Sequence, residues 1–164
     1  MSSPPPRANC FDASALIKVF TQEPDGELVR GYFTYRSPTK YTTPFCFYEA
    51  LNVLKVKWLY RHELTKDEYT TAAFKIVAWF SASSGHTHDI DIKDPVIFSK
   101  VRELTELHTL DLSDAFQIIS VKEGYFSHLV YDSQTVLVTA DENLAKVARI
   151  EGVKSWYCLG EPEP

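Results

Sequence analysis

The sequence predicts an α/β domain in which helices flank a central parallel sheet, and three observations carry that prediction. Two short apolar runs, ANCF at 8–11 and TVLVT at 135–139, read as strands buried on both faces. Between such runs lie long stretches whose apolar residues recur with the helical period. Alternation of buried strands with helices favours a layered sandwich around parallel strands. The chain has 164 residues, 45% of them apolar, enough for one domain with a substantial core.

The elements follow in order. Residues 1–7 form a Ser/Pro-rich leader expected to be disordered. ANCF is the first strand, closed by Asp12. Ala13 to Phe20 is helical, with Leu16, Ile17 and Phe20 on one face. Pro24, Asp25 and Gly26 mark a turn, Glu27 to Tyr35 is a second helix, and Ser37-Pro38-Thr39 stops it. Tyr41 to Thr43 reads as a short strand. Pro44 opens a third helix to about Tyr60, with Phe47, Leu51, Leu54 and Trp58 as its apolar stripe. Thr65 and Glu68 form a capping box for a fourth helix reaching Ser81. A loop at 83–88 and a brief strand at Ile90–Ile92 follow. Pro95 to His108 and Ser113 to Glu123 are the fifth and sixth helices, Asp141 to Glu151 is the seventh, and Gly152 caps it. Val153 to Cys158 is the last strand, and 159–164 is a polar tail.

Composition narrows the function classes. The net charge of -5 does not describe a general nucleic-acid-binding surface, although an acidic metal site would account for most of it. Three cysteines without a CxxC pair give neither zinc spacing nor a disulfide framework. The opening MSSPPPRANC lacks an apolar segment, and no window approaches the roughly 18 apolar residues of a membrane span. A cytoplasmic, membrane-free protein is the expectation.

Four acids sit at structural junctions: Asp12 in FDASALIK, Glu49 in FYEALNVL, Asp114 in DLSDAFQI and Asp141 in TADENLAK. Asp12 and Asp141 follow buried strands, and groups past the carboxyl ends of neighbouring parallel strands converge on one crevice. Glu49 and Asp114 lie near helix starts that can reach it. Carboxylates held so close repel by about 4 kcal/mol per pair at roughly 4 Å in a medium of effective dielectric 20. A divalent cation relieves that repulsion, and oxygen-only ligands suit Mg²⁺ or Mn²⁺. Each acid also has a structural reading: Asp12 and Asp141 as helix N-caps, Asp114 as a first-turn acid complementing the macrodipole. Glu49 resists one, because it lies in a strongly apolar stretch. Asp111 reads as the cap of the sixth helix and Asp132 as a turn acid.

The segments FDASALIKVF, FYEALNVL, LSDAFQI and VTADENLAKVA, in this order and approximate spacing, resemble the PIN-domain ribonucleases of the VapC toxin type. The resemblance spans residues 8–158. It implies a PIN-like three-layer sandwich whose central, mostly parallel sheet has about five short strands. It also implies that Asp12, Glu49, Asp114 and Asp141 are the catalytic and metal-binding acids. Ser14 and Thr139 would support them by hydrogen bonding beside Asp12 and Asp141. The implied activity is an Mg²⁺- or Mn²⁺-dependent endoribonuclease, the toxin of a toxin–antitoxin pair, with a small antitoxin protein as inhibitor and commonly a homodimer. Metal-activated water attacking in line would leave a 5′-phosphate and a 3′-hydroxyl.

For the RNA, Lys18, Arg30, Arg36 and Lys40 are candidate phosphate contacts, with Lys55, Lys57 and Arg61 on the third helix. Tyr32, Phe33 or Tyr35 are candidates for base stacking. The aromatic richness of the first half, including Tyr48, Trp58 and Tyr60, alternatively marks a dimer or antitoxin groove. His86 and His88 with Asp89 and Asp91 suggest adventitious zinc, against the plainer reading of a polar loop. A dehalogenase-like phosphatase would need a second aspartate where Ser14 stands, and a receiver domain would need adjacent acids after the first strand. The remaining alternatives are a catalytically silent PIN-like module that binds RNA or protein and a PIN nuclease working outside any toxin–antitoxin pair.

Overall fold

Parallel pairing brings the two most apolar runs together at the centre of one sheet. In the computed structural model, which describes residues 7–82, 90–124, 127 and 135–164, strand β1 (Ala8–Phe11) lies between β2 (Thr39–Tyr41) and β3 (Thr135–Thr139). Strand β4 (Lys154–Tyr157) pairs on the far side of β3, giving the order β2-β1-β3-β4 with every pairing parallel. Seven α-helices are present among the described residues: α1 (Ala13–Phe20), α2 (Glu27–Gly31), α3 (Pro44–Leu59), α4 (Lys66–Ala82), α5 (Pro95–His108), α6 (Leu112–Glu123) and α7 (Glu142–Ile150).

The period-2 alternation of strand side chains divides the core between two faces. Phe11, Val136, Val138 and Trp156 pack with α1 to α4. Ala8, Cys10 and Leu137 pack with α5, α6 and α7. All five residues of β3 are buried, as a strand covered on both faces requires. The result is an α/β arrangement with a helical layer on either side of the sheet.

Three expectations are corrected. Ile90–Ile92 is not a strand: Asp91 instead forms a turn, accepting from Lys93 N–H at 2.9 Å on its carboxylate and from Asp94 N–H at 3.0 Å on its carbonyl. Among the described residues the sheet therefore has four strands, not five. Strand β2 comes two residues early, because the Thr42 and Thr43 hydroxyls have other work. Thr42 donates to Phe11 O at 2.7 Å, and Thr43 caps α3 by accepting from Cys46 N–H at 3.2 Å. The second helix keeps its α form only to Gly31 and widens into a π turn over Tyr32–Arg36, closed by Ser37 N–H on Tyr32 O at 2.7 Å. The Thr65–Glu68 capping box forms as expected, with bonds of 2.6 and 3.1 Å. The leader at 1–6 and the loop at 83–89 lie outside the described residues. No described helix is long and apolar enough to cross a membrane.

Sheet order also locates the crevice. From β1 the chain moves to one side to make β2, then returns past β1 to make β3 and β4. The direction of growth reverses between β1 and β3, the position where open parallel sheets leave a cleft beyond their carboxyl ends.

Candidate functional site

Asp12 stands at that reversal. Its N–H still continues the sheet, donating to Val138 O at 3.1 Å, while its carboxylate caps α1 by accepting from Ala15 N–H at 2.8 Å. Capping is only part of its role. Ser14 Oγ donates to Asp12 Oδ1 at 2.7 Å, and Thr139 Oγ1 donates to Oδ2 at 2.6 Å. Both hydroxyls are braced from behind: Ala140 N–H donates to Ser14 Oγ at 2.9 Å, and Asp141 N–H to Thr139 Oγ1 at 3.0 Å. With each hydroxyl proton committed to Asp12, the 3.2 Å approach of Ser14 to Thr139 reflects their common target.

The other three sequence-derived acids meet Asp12 around one cavity of about 470 Å³, lined among others by Asp12, Ser14, Glu49, Asp114 and Asp141. Each is placed by a helix start. Thr43 and Pro44 begin α3 directly after β2, which puts Glu49 in its second turn over the cavity. Asp114 lies in the first turn of α6. Asp141 caps α7, accepting from Leu144 N–H at 3.1 Å, and still lines the cavity. Thr139 is buried behind Asp12 and does not line the space itself.

Burial and neighbouring negative charge raise Asp12, Glu49 and Asp114. Burial lifts the Asp12 carboxyl to about 6, against the hydrogen bonds from Thr139, Ala15 and Ser14 that favour its ionised form, and the charge of Glu49 adds to the rise. Asp114 rises to about 7, first through burial and then through Asp141, Asp12, Asp111 and Glu49. Glu49 is raised by burial and by Asp111. Positive charge entering the cavity would relieve this repulsion. The donor set is all carboxylate, which fits a hard divalent cation rather than zinc or copper. Cys46 also lines the cavity, but burial pushes its thiol well up and it donates to Gln117 Oε1 at 2.6 Å, so it is no thiolate nucleophile.

Asp111 departs from the expected role of a cap. Its backbone occupies the N-cap position of α6, yet its side chain makes no capping bond and lines the cavity as a fifth carboxylate. The corner before it is unusual. Thr109 ends α5 in the left-handed region at φ 54°, a rare conformation for a β-branched residue, and buried Leu110 then anchors the turn. The spacing held the signal, since positions three apart share a helix face and Asp111 precedes Asp114 by three.

The basic residues proposed for RNA are placed differently from one another. Lys18 pairs with Glu23 and Asp25, and Arg30 donates to the carbonyls of Lys18, Thr21 and Glu23. Arg36 pairs with Glu163, and Lys40 lies over the Phe33 ring. None of these four lines the acidic cavity; Arg61 does. Phe33 is buried against Phe11, Phe20 and Trp79, whereas Tyr35, Tyr48 and Tyr60 are largely exposed. His86, His88 and Asp89 of the zinc reading, and also His128 and Asp132, lie outside the described residues. Asp91 is used in its turn, and His108 pairs with Glu151 at 2.6 Å.

No protein-family model and no curated protein matches this chain. Among the described residues, no three His, Cys, Asp or Glu side chains close into a ready-made ligand cluster. The acids share a cavity without meeting at one point, as carboxylates that repel one another would.

Proposed function

We propose that this chain is a divalent-cation-dependent endoribonuclease with a PIN-like fold, of the VapC toxin type. One observation carries the reading: Asp12, Glu49, Asp114 and Asp141, far apart in sequence, line a single cavity beyond the carboxyl ends of the two central strands. The expected partners are RNA as substrate, a small antitoxin protein and a second copy of the chain.

The residues divide the work. Asp12, Glu49, Asp114 and Asp141 would hold Mg²⁺ or Mn²⁺, with Asp111 within the same acidic field. When bound, the cation supplies Lewis-acid activation of a phosphoryl oxygen and a lowered pKa for water. Ser14 and Thr139 hold the Asp12 carboxylate in one orientation at the cavity wall. Asp114, raised to about 7, keeps a proton on its carboxyl in part of the cation-free molecules and releases it as positive charge arrives. Hydrolysis would leave a 5′-phosphate and a 3′-hydroxyl.

The dispersed placement of the acids favours a second reading, a PIN-like module that binds RNA or protein without cutting. Incubation with total cellular RNA, with and without Mn²⁺, beside Asp12→Asn, separates the two. Cation-dependent cuts bearing 5′-phosphates and lost in the variant support the nuclease. Intact RNA with the folded wild-type protein and Mn²⁺ bound at the site rejects cleavage of the RNAs offered, and intact RNA without Mn²⁺ binding supports the silent module.

A further inference from the structure

Among the described residues, the acidic cavity has one cationic side chain on its wall, Arg61, just beyond the end of α3. The chain reverses sharply there. The N–H groups of Tyr60 and Arg61 both donate to Val56 O at 3.0 Å, and Glu63 N–H reaches back to Lys57 O at 2.8 Å. Between them His62 takes the left-handed conformation at φ 53°, uncommon for a residue with a Cβ. Arg61 reaches the cavity wall although about three helical turns of sequence separate it from Glu49.

Three other cations of the first half are held by the fold. Lys57 holds Glu23 and Glu63, Lys18 holds Glu23 and Asp25, and Arg30 binds three carbonyls. Arg61 is different: it is exposed and forms no side-chain hydrogen bond or ion pair with any described residue, although five carboxylates line the same cavity. A guanidinium beside so much negative charge, and not neutralised by it, is placed to receive an anion from solvent. Its planar fork matches the non-bridging oxygens of a phosphate. A polyanionic strand crossing the acidic mouth needs such a contact, because carboxylates not covered by the cation repel it.

Resting on the nuclease reading above, we propose that Arg61 is a phosphate-positioning residue. It grips a backbone phosphate of single-stranded RNA at the cavity rim and so sets the register of the strand over the acids.

The test is fluorescence anisotropy of a labelled single-stranded RNA oligonucleotide of mixed sequence, with Ca²⁺ in place of Mn²⁺, over a series of KCl concentrations. Wild type, Arg61→Gln and Arg61→Lys are compared, with the Mn²⁺-induced thermal shift of each measured in parallel. Arg61→Gln is expected to weaken RNA binding about tenfold or more. It should also reduce the slope of log affinity against log salt by about 0.7, the loss of one phosphate contact on a single strand. Its Mn²⁺ shift should match wild type, and Arg61→Lys should restore the slope but only part of the affinity. Unchanged affinity and slope in Arg61→Gln, or no RNA binding by wild type, would overturn the proposal. So would a loss in which Arg61→Lys behaves like Arg61→Gln and the Mn²⁺ shift disappears with it. If wild type shows no Mn²⁺ shift while the Arg61 dependence persists, the phosphate contact stands and the nuclease reading falls.

Discussion

Thr139 donates its hydroxyl proton to Asp12 Oδ2 at 2.6 Å, joining the ends of the two central strands across 127 positions of sequence. Thr139 Oγ1 in turn accepts from Asp141 N–H at 3.0 Å, so one side chain orders two of the acids. Thr139→Val keeps the shape and removes both bonds. A hydrogen bond to a charged group contributes about 2 kcal/mol, so the variant should melt roughly 4–8 °C lower. Its affinity for Mn²⁺ should fall about tenfold. Thr139→Ser, which retains the hydroxyl, should stay close to wild type in both thermal melts and Mn²⁺ titration.

The raised carboxyls give the cation-free protein an unusual pH profile. Asp12 near 6 and Asp114 near 7 both lie above their unfolded value of 3.8. Between about pH 4 and pH 7 the folded protein therefore holds protons that the unfolded chain has released. These two groups make stability fall as pH rises through that window and level off above it. Mn²⁺ acts in the opposite sense: its stabilisation should be largest above pH 7, where both acids are ionised, and shrink as pH drops through 7 and then 6. Denaturant melts with Mn²⁺ and with chelator, across this range, measure both trends. A chelated protein whose stability climbs steadily from pH 4 to 7 would contradict the electrostatic account.

Asp111 and Asp141 hold equivalent positions before their helices but differ in what the side chain does. Asp141 bonds Leu144 N–H and Asp111 bonds no helix N–H. Asp141→Ala should cost about 1 kcal/mol as a lost cap, and Asp111→Ala less than about 0.5 kcal/mol. Both should weaken Mn²⁺ binding. Urea denaturation in chelator isolates the capping effect, and equal losses there would mean that Asp111 caps α6 after all.

Much of the architecture was legible because burial is written into composition. ANCF and TVLVT carry apolar or small residues on both strand faces, so they read as central strands, and the helices of the first half start at visible signals such as Pro44 and the Thr65–Glu68 box. The misreadings arose where one residue type serves two purposes. Asp91 forms a turn that apolar neighbours disguised as a strand, and Thr42 and Thr43 have strand propensity but act through their hydroxyls. Asp111 has the identity and place of a cap, and only its three-residue spacing from Asp114 hinted that it lines the cavity instead. The acids converge because strand order puts β3 beside β1, a long-range fact that local periodicity does not contain. The partner of Arg36, Glu163, is likewise distant in sequence, and those of Lys18 and Arg30 lie across a turn, so charge alone did not separate them from Arg61.

The most direct test is isothermal titration of Mn²⁺ into the purified protein at pH 7.5, beside Asp12→Asn and Asp114→Asn. Saturable binding by wild type is expected, accompanied by proton release from Asp114, with loss of most of that binding in both variants while their folds persist. Cation-free Asp114→Asn should also melt higher than wild type, because it removes one of the mutually repelling charges. Absence of binding by wild type, or equal binding by all three proteins, would contradict the claim that these acids form a cation site.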